Sequence, residues 1–547
     1  MGATIISKQF TCQRYIFKIH STRLREARWN LTLPLEEARK NDEIISLADS
    51  LMLRWIDELN GVSDADAISR EIKSNIKRLR NEENSLHNRR EIKRLYAELD
   101  RIQFKPDYMS LIIDKPKDYI RACKGYTING VKYKRLLGTN GGIKSSTIVF
   151  VSERLADELK RRVENGRNPN VPLVTAKLEA YKALTCSASI PVSTPRGVLV
   201  VDDVFTEFTA DVVNLSNEGD GEPTMVPSND ERIEMDASDG YGLMLPSLAE
   251  RWSQELDLGY TASCVNTRFA WEKGVVCTFD FVEFAERVAN NYIVKDAWGN
   301  DVDIRDVEIV LTTSMVKLWD SYDSCNHYLQ ESLNNGYTFA VTKTSPEHLE
   351  SERNLNYQFI QSFDLDDNDI EELIAPTVNE IRDVLGGDWR KAVLFLKGSG
   401  LNENNVSKLD DDYVKAMMID HRVFDDPWVR SNIYSQIRNR INEAKVGVLK
   451  VHGNYSIIVG DPYLLCQNIF GLEKTGLLRA GELYNKYWAD YGSERVVCFR
   501  APMTCHENIV SMTPRRDEEA RHWYRHLTAC TVLNGWDTAT AAMNGMD

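Results

Sequence analysis

The stretch RFAWEKGVVCTFD at Arg268–Asp280, with DGYGLMLPSLAERW at Asp239–Trp252 ahead of it, carries the reading of the fold. Its apolar runs are short, rich in Val and Phe, and broken by Gly, Pro and Asp, which is the punctuation of tightly turning strands rather than helices. Residues 183–290 repeat the pattern in SASIPVS, RGVLVVDDVF, GYGLMLP and GVVCTFDFVEF, so a barrel-like β unit is expected there. Within it, residues 214–238 are dense in Asn, Glu, Gly, Pro and Asp and read as an exposed loop. Residues 281–445 are acidic and largely helical in pattern, after which GVLKV, YSIIVG, RVVCF and NIVSM mark a second β unit over 446–512. RRDEEARHWYRHLTACTVLN then reads as a helix, and the sequence ends TATAAMNGMD. Toward the N terminus, YIFKIH reads as a strand and residues 66–101 as one long helix: Ile68, Ile72, Ile76 and Leu79 fall at i, i+4, i+8 and i+11, with no Gly or Pro. The Lys and Arg of that helix fit a solvated face with i,i+4 pairs. Over 108–151, Asn-Gly and Asn-Gly-Gly steps between β-rich runs signal hairpins. Gly138–Lys144 misses the G-x-x-x-x-G-K-[ST] spacing of a phosphate loop.

With 547 residues the chain exceeds one ordinary core, and about three or four domains are expected. Hydrophobic residues at 42% and charged residues at 27% are globular values, which argues against disorder. No apolar run approaches the ~20 residues that span a bilayer. The opening MGATIISKQF has neither a secretory pattern nor, with Ile6, a myristoylation pattern. Ten cysteines without a C-x-x-C pair fit reduced thiols in a cytoplasm and give no clustered zinc ligands. The net charge of −15 counts against indiscriminate nucleic-acid binding but leaves room for a local basic channel.

The tail supplies the chemistry. FRAP at Phe499–Pro502 is followed about forty residues on by AAMNGMD at Ala541–Asp547. In that order the two resemble the N-R-A-P-T-L-H segment and the A-A-F-N-A-D-F-D-G-D loop of the large catalytic subunit of cellular RNA polymerases. The D-G-x-G of Asp239–Gly242 followed by the K-G-V-V of Lys273–Val276 resembles the first barrel of RNA-silencing RNA-dependent RNA polymerases. The Lys-Gly-Val-Val step also matches the lysine-bearing barrel of the second large cellular subunit. Both signatures in one chain are similar to the single-chain two-barrel RNA polymerase family, which includes eukaryotic RNA-dependent enzymes and phage-encoded DNA-transcribing relatives. The resemblance spans residues 110–547 loosely and rests on four short segments. It implies an α+β chain with two double-psi β-barrels, the second incomplete. The expected division is an N-terminal helical and hairpin region at 1–170, the lysine-bearing barrel at 171–290, a helical connector at 291–445 and the second barrel at 446–547.

Nucleotidyl transfer sets a hydroxyl in line with an α-phosphate, and positioning with charge neutralisation carries most of the catalysis. Carboxylates hold two Mg2+ about 4 Å apart, because magnesium prefers hard oxygen ligands. The resemblance gives Asp547 the catalytic, metal-binding role, as the first aspartate of a loop whose continuation would read x-D-G-D. It makes Lys273 the catalytic cation opposite the metals. Arg500 would fork onto the ribose of the incoming nucleotide, and Asn544 would sense its 2′-hydroxyl, since an amide both donates and accepts. Eight residues before Lys273, where cellular relatives carry a second lysine, stands Val265; Arg268 is the candidate substrate-binding replacement. Phe499 stands where those relatives have Asn. The implied function is RNA synthesis from nucleoside triphosphates on a nucleic-acid template, DNA slightly favoured over RNA. The implied setting is a phage or prophage product in a bacterial cytoplasm, with no membrane partner. With further aspartates required beyond Asp547, these residues are expected to be inactive alone, and a second chain is one way to complete the loop. The alternative is a non-catalytic nucleic-acid-binding or scaffold protein on a degenerate polymerase fold, which the acidic charge favours.

Three other motifs weigh less. DLDDNDIEEL at Asp364–Leu373 starts like a calcium loop but has Asp369 where Gly is needed and Ala375 where Glu is needed, so an acidic helix start is expected. His522 and His526 lack the Glu of a metalloprotease helix. Ser187 and Ser189 lack a G-x-S-x-G frame.

Overall fold

The computed structural model describes residues 13–62, 64–82, 85–139, 146–216, 222–397, 411–501, 503 and 506–538. Asn544 and Asp547 lie outside the described residues. The chain is α+β, with curled β sheets and many helices.

The N-terminal strands are β1 (Arg14–His20), β2 (Asn30–Leu31), β3 (Ile44–Leu47), β4 (Phe104–Ile112), β5 (Tyr126–Ile128), β6 (Val131–Gly138) and β7 (Thr147–Ser152). They form one sheet in the order β2-β5-β6-β7-β4-β1-β3, with YIFKIH in β1 as expected. Asn129 (φ 50°) and Gly130 (φ 80°) both take the left-handed conformation that a two-residue turn needs, closing β5 onto β6. The single long helix expected over 66–101 is instead two, Ala65–Asn81 and Leu86–Gln103. Ser85 caps the second by accepting from the Asn88 N–H at 3.1 Å. Folding back lets Ile72, Ile76 and Leu79 bury against Leu95 and Leu99, where one straight rod would leave both stripes wet.

The central strands follow: β8 (Ile190–Pro191), β9 (Val198–Val201), a long hairpin of β10 (Phe205–Ser216) and β11 (Thr224–Asp236), then β12 (Tyr241–Met244), β13 (Cys264–Phe269) and β14 (Glu272–Thr278). After a short ribbon, β15 (Ile293–Lys295) and β16 (Asp301–Asp303), come β17 (Ile309–Thr312) and β18 (Ala340–Thr344). The sheet order is β8-β18-β13-β14-β12-β17-β9. Two expectations are corrected here. Residues 214–238 are largely the far half of the β10–β11 hairpin, because a ladder satisfies backbone groups even where the side chains are polar. The segment from 291 to 344 is not connector: β17 pairs with β12 and β9, and β18 with β13, so the first sheet continues well past residue 290.

Both faces of this sheet are buried, which is why VLVV, YGLM and IVLT read as unbroken apolar runs. Met244, Val265, Val276, Ile309 and Leu311 turn to a core shared with the N-terminal region. Their neighbours Leu243, Cys264, Cys277 and Val310 turn the other way, onto Val459, Leu464, Tyr524 and Val532 of the second unit. The connector proper is a small bundle with its own core, including helices Asp367–Leu385, Trp389–Lys397, Asp412–Ile419 and Pro427–Ala444. It leaves and returns through a ribbon of β19 (Glu352–Asn354) with β20 (Lys450–His452). DLDDNDIEEL opens its first long helix, with Asp366 accepting from the Asn368 and Asp369 N–H groups.

The second unit has β21 (Ile457–Val459), β22 (Glu482–Tyr484), β23 (Val496–Phe499), β24 (Ile509–Pro514) and β25 (Cys530–Leu533), ordered β21-β25-β22-β24-β23. The helix expected over RRDEEARHWYRHLTACTVLN is only Glu518–Trp523. Its remainder becomes β25, fully buried between β21 and β22, where β-branched Thr531 and Val532 suit a strand. No helix among the described residues is long and apolar enough to cross a membrane.

Candidate functional site

β13 and β14 meet at a two-residue turn, Ala270-Trp271, in which Trp271 takes φ 59°. Such a conformation is costly for a bulky residue. The buried indole compensates by donating to the Tyr322 hydroxyl at 2.7 Å, which anchors the hairpin. The register that results sets Arg268 directly opposite Lys273. Opposed residues on one face have Cβ atoms about 4.5–5.5 Å apart, so two cations confront each other.

Neither forms an ion pair among the described residues, although the buried Glu272 carboxyl acts on Arg268 through its charge. Among the described residues the Lys273 ammonium is exposed and has no carboxylate or hydrogen-bond partner. Arg268 donates through Nη1 to the Thr267 carbonyl at 2.6 Å, while its buried Nε has no acceptor. Burial pushes the Arg268 pKa down. An anion here would relieve the repulsion and fill the orphan donor together. The two cations line a cavity of about 470 Å³ whose other walls include Ser50, Ser110 and Ser187. Leu47, Tyr108 and Val149 of β3, β4 and β7 also line it, so the two cations look onto the N-terminal sheet.

The glycines of the two motifs explain their own presence. A Cβ on Gly274 would lie 2.4 Å from the Gly240 carbonyl, and one on Gly242 would lie 2.2 Å from the Val310 carbonyl. The motif loop therefore touches the Lys273 strand backbone to backbone. Asp203 holds that loop by accepting from Ser238 Oγ (2.9 Å), Thr313 Oγ1 (2.7 Å) and both Oγ (2.6 Å) and N (2.8 Å) of Ser314. Ser314 Oγ in turn accepts from the Gly240 N–H. Asp236, beside it, is pushed up to about 6 by burial and by the charge of Asp203. At the other end of the loop, Ala237 abuts Gly535, near the last described residues of the second unit. The loop thus runs from Lys273 to the last described residues of the second unit.

Asp461 fastens the two units. It is fully buried, and burial raises its pKa. It accepts from the Tyr524 hydroxyl (2.7 Å) and from the N–H groups of Leu477 (2.8 Å) and Tyr463 (2.9 Å), while its own carbonyl accepts from Tyr241 of the motif. Its readable signal was Asp before Pro462 at a helix start. Neither Asp461 nor Asp203 was singled out from sequence. Arg500 is exposed just beyond β23, where Phe499 packs on Phe359 at 5.0 Å, and it does not line the cavity of Lys273 and Arg268. Among the described residues no group of three His, Cys, Asp or Glu is disposed to hold a metal, so they do not form a magnesium cage.

Residues 84–505 match the family model described as RNA dependent RNA polymerase. The chain is 27% identical over 416 residues to the DNA-directed RNA polymerase YonO of Bacillus phage SPbeta, a match covering 73% of this chain and 46% of the phage protein. Its fold is similar to that of RNA dependent RNA polymerase QDE-1 from Thielavia terrestris, with a TM-score of 0.52 at 14% identity over 81% of this chain and 48% of that one. The chain spans about half the length of these two proteins. The matched residues run through the N-terminal sheet, the cation-bearing hairpin, the connector and β23, and on that footing the chain belongs to the RNA dependent RNA polymerase family.

Proposed function

We propose that this chain contributes the cationic wall of a template-directed RNA polymerase, acting on nucleoside triphosphates with single-stranded DNA as the favoured template. The opposed pair Lys273–Arg268, which forms no ion pair among the described residues, carries the reading. In this scheme Lys273 donates to phosphate oxygens of the incoming triphosphate and Arg268 steadies the same anion from across the hairpin. Arg500 forks onto the ribose and Asn544 senses its 2′-hydroxyl. Asp547 contributes one ligand to the Mg2+ site. The name of the phage relative supports a DNA template.

The experiment follows Mg2+-dependent incorporation of labelled nucleotides on single-stranded DNA and RNA. Lys273→Ala is expected to lower incorporation about 100-fold or more. Undiminished product from that variant refutes the proposal.

A further inference from the structure

The second unit carries a cluster of rings that the reading above does not use. His452, at the end of β20, meets three rings of helix Lys486–Tyr491. They are Tyr487, whose hydroxyl is 3.0 Å from Nε2, Trp488 with centroids 5.0 Å away, and Tyr491 at 4.8 Å. Tyr487 and Tyr491, one helical turn apart, are parallel to within 9°. Three residues beyond His452, Tyr455 lies under the Arg353 guanidinium at 5.6 Å. Tyr491 keeps 64% of its surface exposed and Tyr455 58%.

Single exposed rings are common; four rings in mutual contact with Tyr491 exposed, and Tyr455 exposed nearby in sequence, are less so. This group contains no Leu, Ile or Val, so it presents flat π faces with polar edges rather than an aliphatic docking patch. Lys486 and Arg521 flank it and share one carboxylate, Asp490, while Arg353 pairs with Glu350 and Glu352 stands opposite His452. The chain also links the patch to a residue of the proposed site. β19, paired with β20, leads into helix Tyr357–Gln361, whose Phe359 packs on Phe499 next to Arg500.

We infer that this cluster is a stacking platform for unpaired bases of a single-stranded nucleic acid passing the second unit. The inference rests on the nucleic-acid reading proposed above. Stacking on rings tolerates any base, because every base has a π face.

The test measures anisotropy of labelled oligo-dT and oligo-rU with the whole 547-residue chain. Tyr455→Ala and Tyr491→Ala should each weaken both ligands about tenfold, while Tyr491→Phe, which keeps the ring, binds as the parent does. The slope of log affinity against log salt should stay unchanged, since no phosphate contact is lost. An abasic oligomer should be indifferent to the alanine variants. If the parent binds and the double alanine variant binds equally well, the platform is overturned and the polymerase reading stands. Equal weakening of the abasic oligomer also overturns it. A parent that binds no oligonucleotide sinks both readings. Self-association in sedimentation that the double variant abolishes would assign the patch to a second copy and overturn the proposal.

Discussion

Lys273→Met separates a binding role from a structural one, because the two predict opposite signs. The substitution removes the ammonium and keeps an apolar stem of similar length. In the fold, Lys273 faces Arg268 across the hairpin with no carboxylate of its own among the described residues. Like charges opposed on a sheet face cost about 0.2–1 kcal/mol, and Lys273 is exposed, so water screens the repulsion to the low end. The variant should therefore be as stable as the parent or more stable by up to about 1 kcal/mol. Its affinity for a triphosphate should fall by the worth of one charge-assisted hydrogen bond, about 1.5–3 kcal/mol, or roughly 10- to 150-fold. Urea unfolding reads the first quantity, and calorimetric titration with ATP and with tripolyphosphate reads the second. A variant that loses more than about 1 kcal/mol of stability yet binds both anions like the parent would show that Lys273 is a structural lysine.

Glu272→Gln probes the buried face of the same strand. The Glu272 carboxyl accepts from Thr267 Oγ1 at 2.6 Å, its second oxygen has no partner, and burial pushes its pKa from 4.5 to about 7. The folded chain therefore keeps a proton that the unfolded chain has released, and stability declines as pH rises from 4.5 to about 7. Glutamine removes that decline, so the variant should gain on the parent by about 1–3 kcal/mol above neutrality and little in acid; a pH-independent difference in urea midpoints contradicts this. Asp461→Ala strands the Tyr524 hydroxyl and two buried N–H groups and should cost on the order of 3 kcal/mol or more in the same assay, with a loss below about 1 kcal/mol counting against the fastening role. Gly274→Ala drives a methyl against the Gly240 carbonyl and should cost about 1–3 kcal/mol and weaken triphosphate binding with it; wild-type affinity would mean the motif loop does not set Lys273.

What the sequence made legible were the local devices. Asn129-Gly130 specified its turn, Asp366 its helix start, and Lys273-Gly274 the strand where two backbones touch. What stayed hidden depended on partners far along the chain. The Lys- and Arg-rich stretch 66–101 has helical periodicity throughout, and only Ser85, a helix-capping residue type, marks where it doubles back. β17 and β18 are four- and five-residue runs whose sheet membership is decided by β12, β9 and β13. β25 lies at the end of a helix-like pattern and becomes a strand because β21 and β22 bury it. Arg268 was named for its charge alone; that it confronts Lys273 followed from the register.

The central sheet is a party wall between two cores, and this bears on chimeras. One side of the second unit shares its interior: Val459, Leu464 and Val532 lie in one core with Leu199, Leu243, Cys277 and Val310. A graft cut at the connector would carry half of a hydrophobic seam and leave the other half behind. An exchange of this module between relatives has to transplant β9, β12, β14 and β17 along with it, so the unit of inheritance is the seam rather than the stretch of chain.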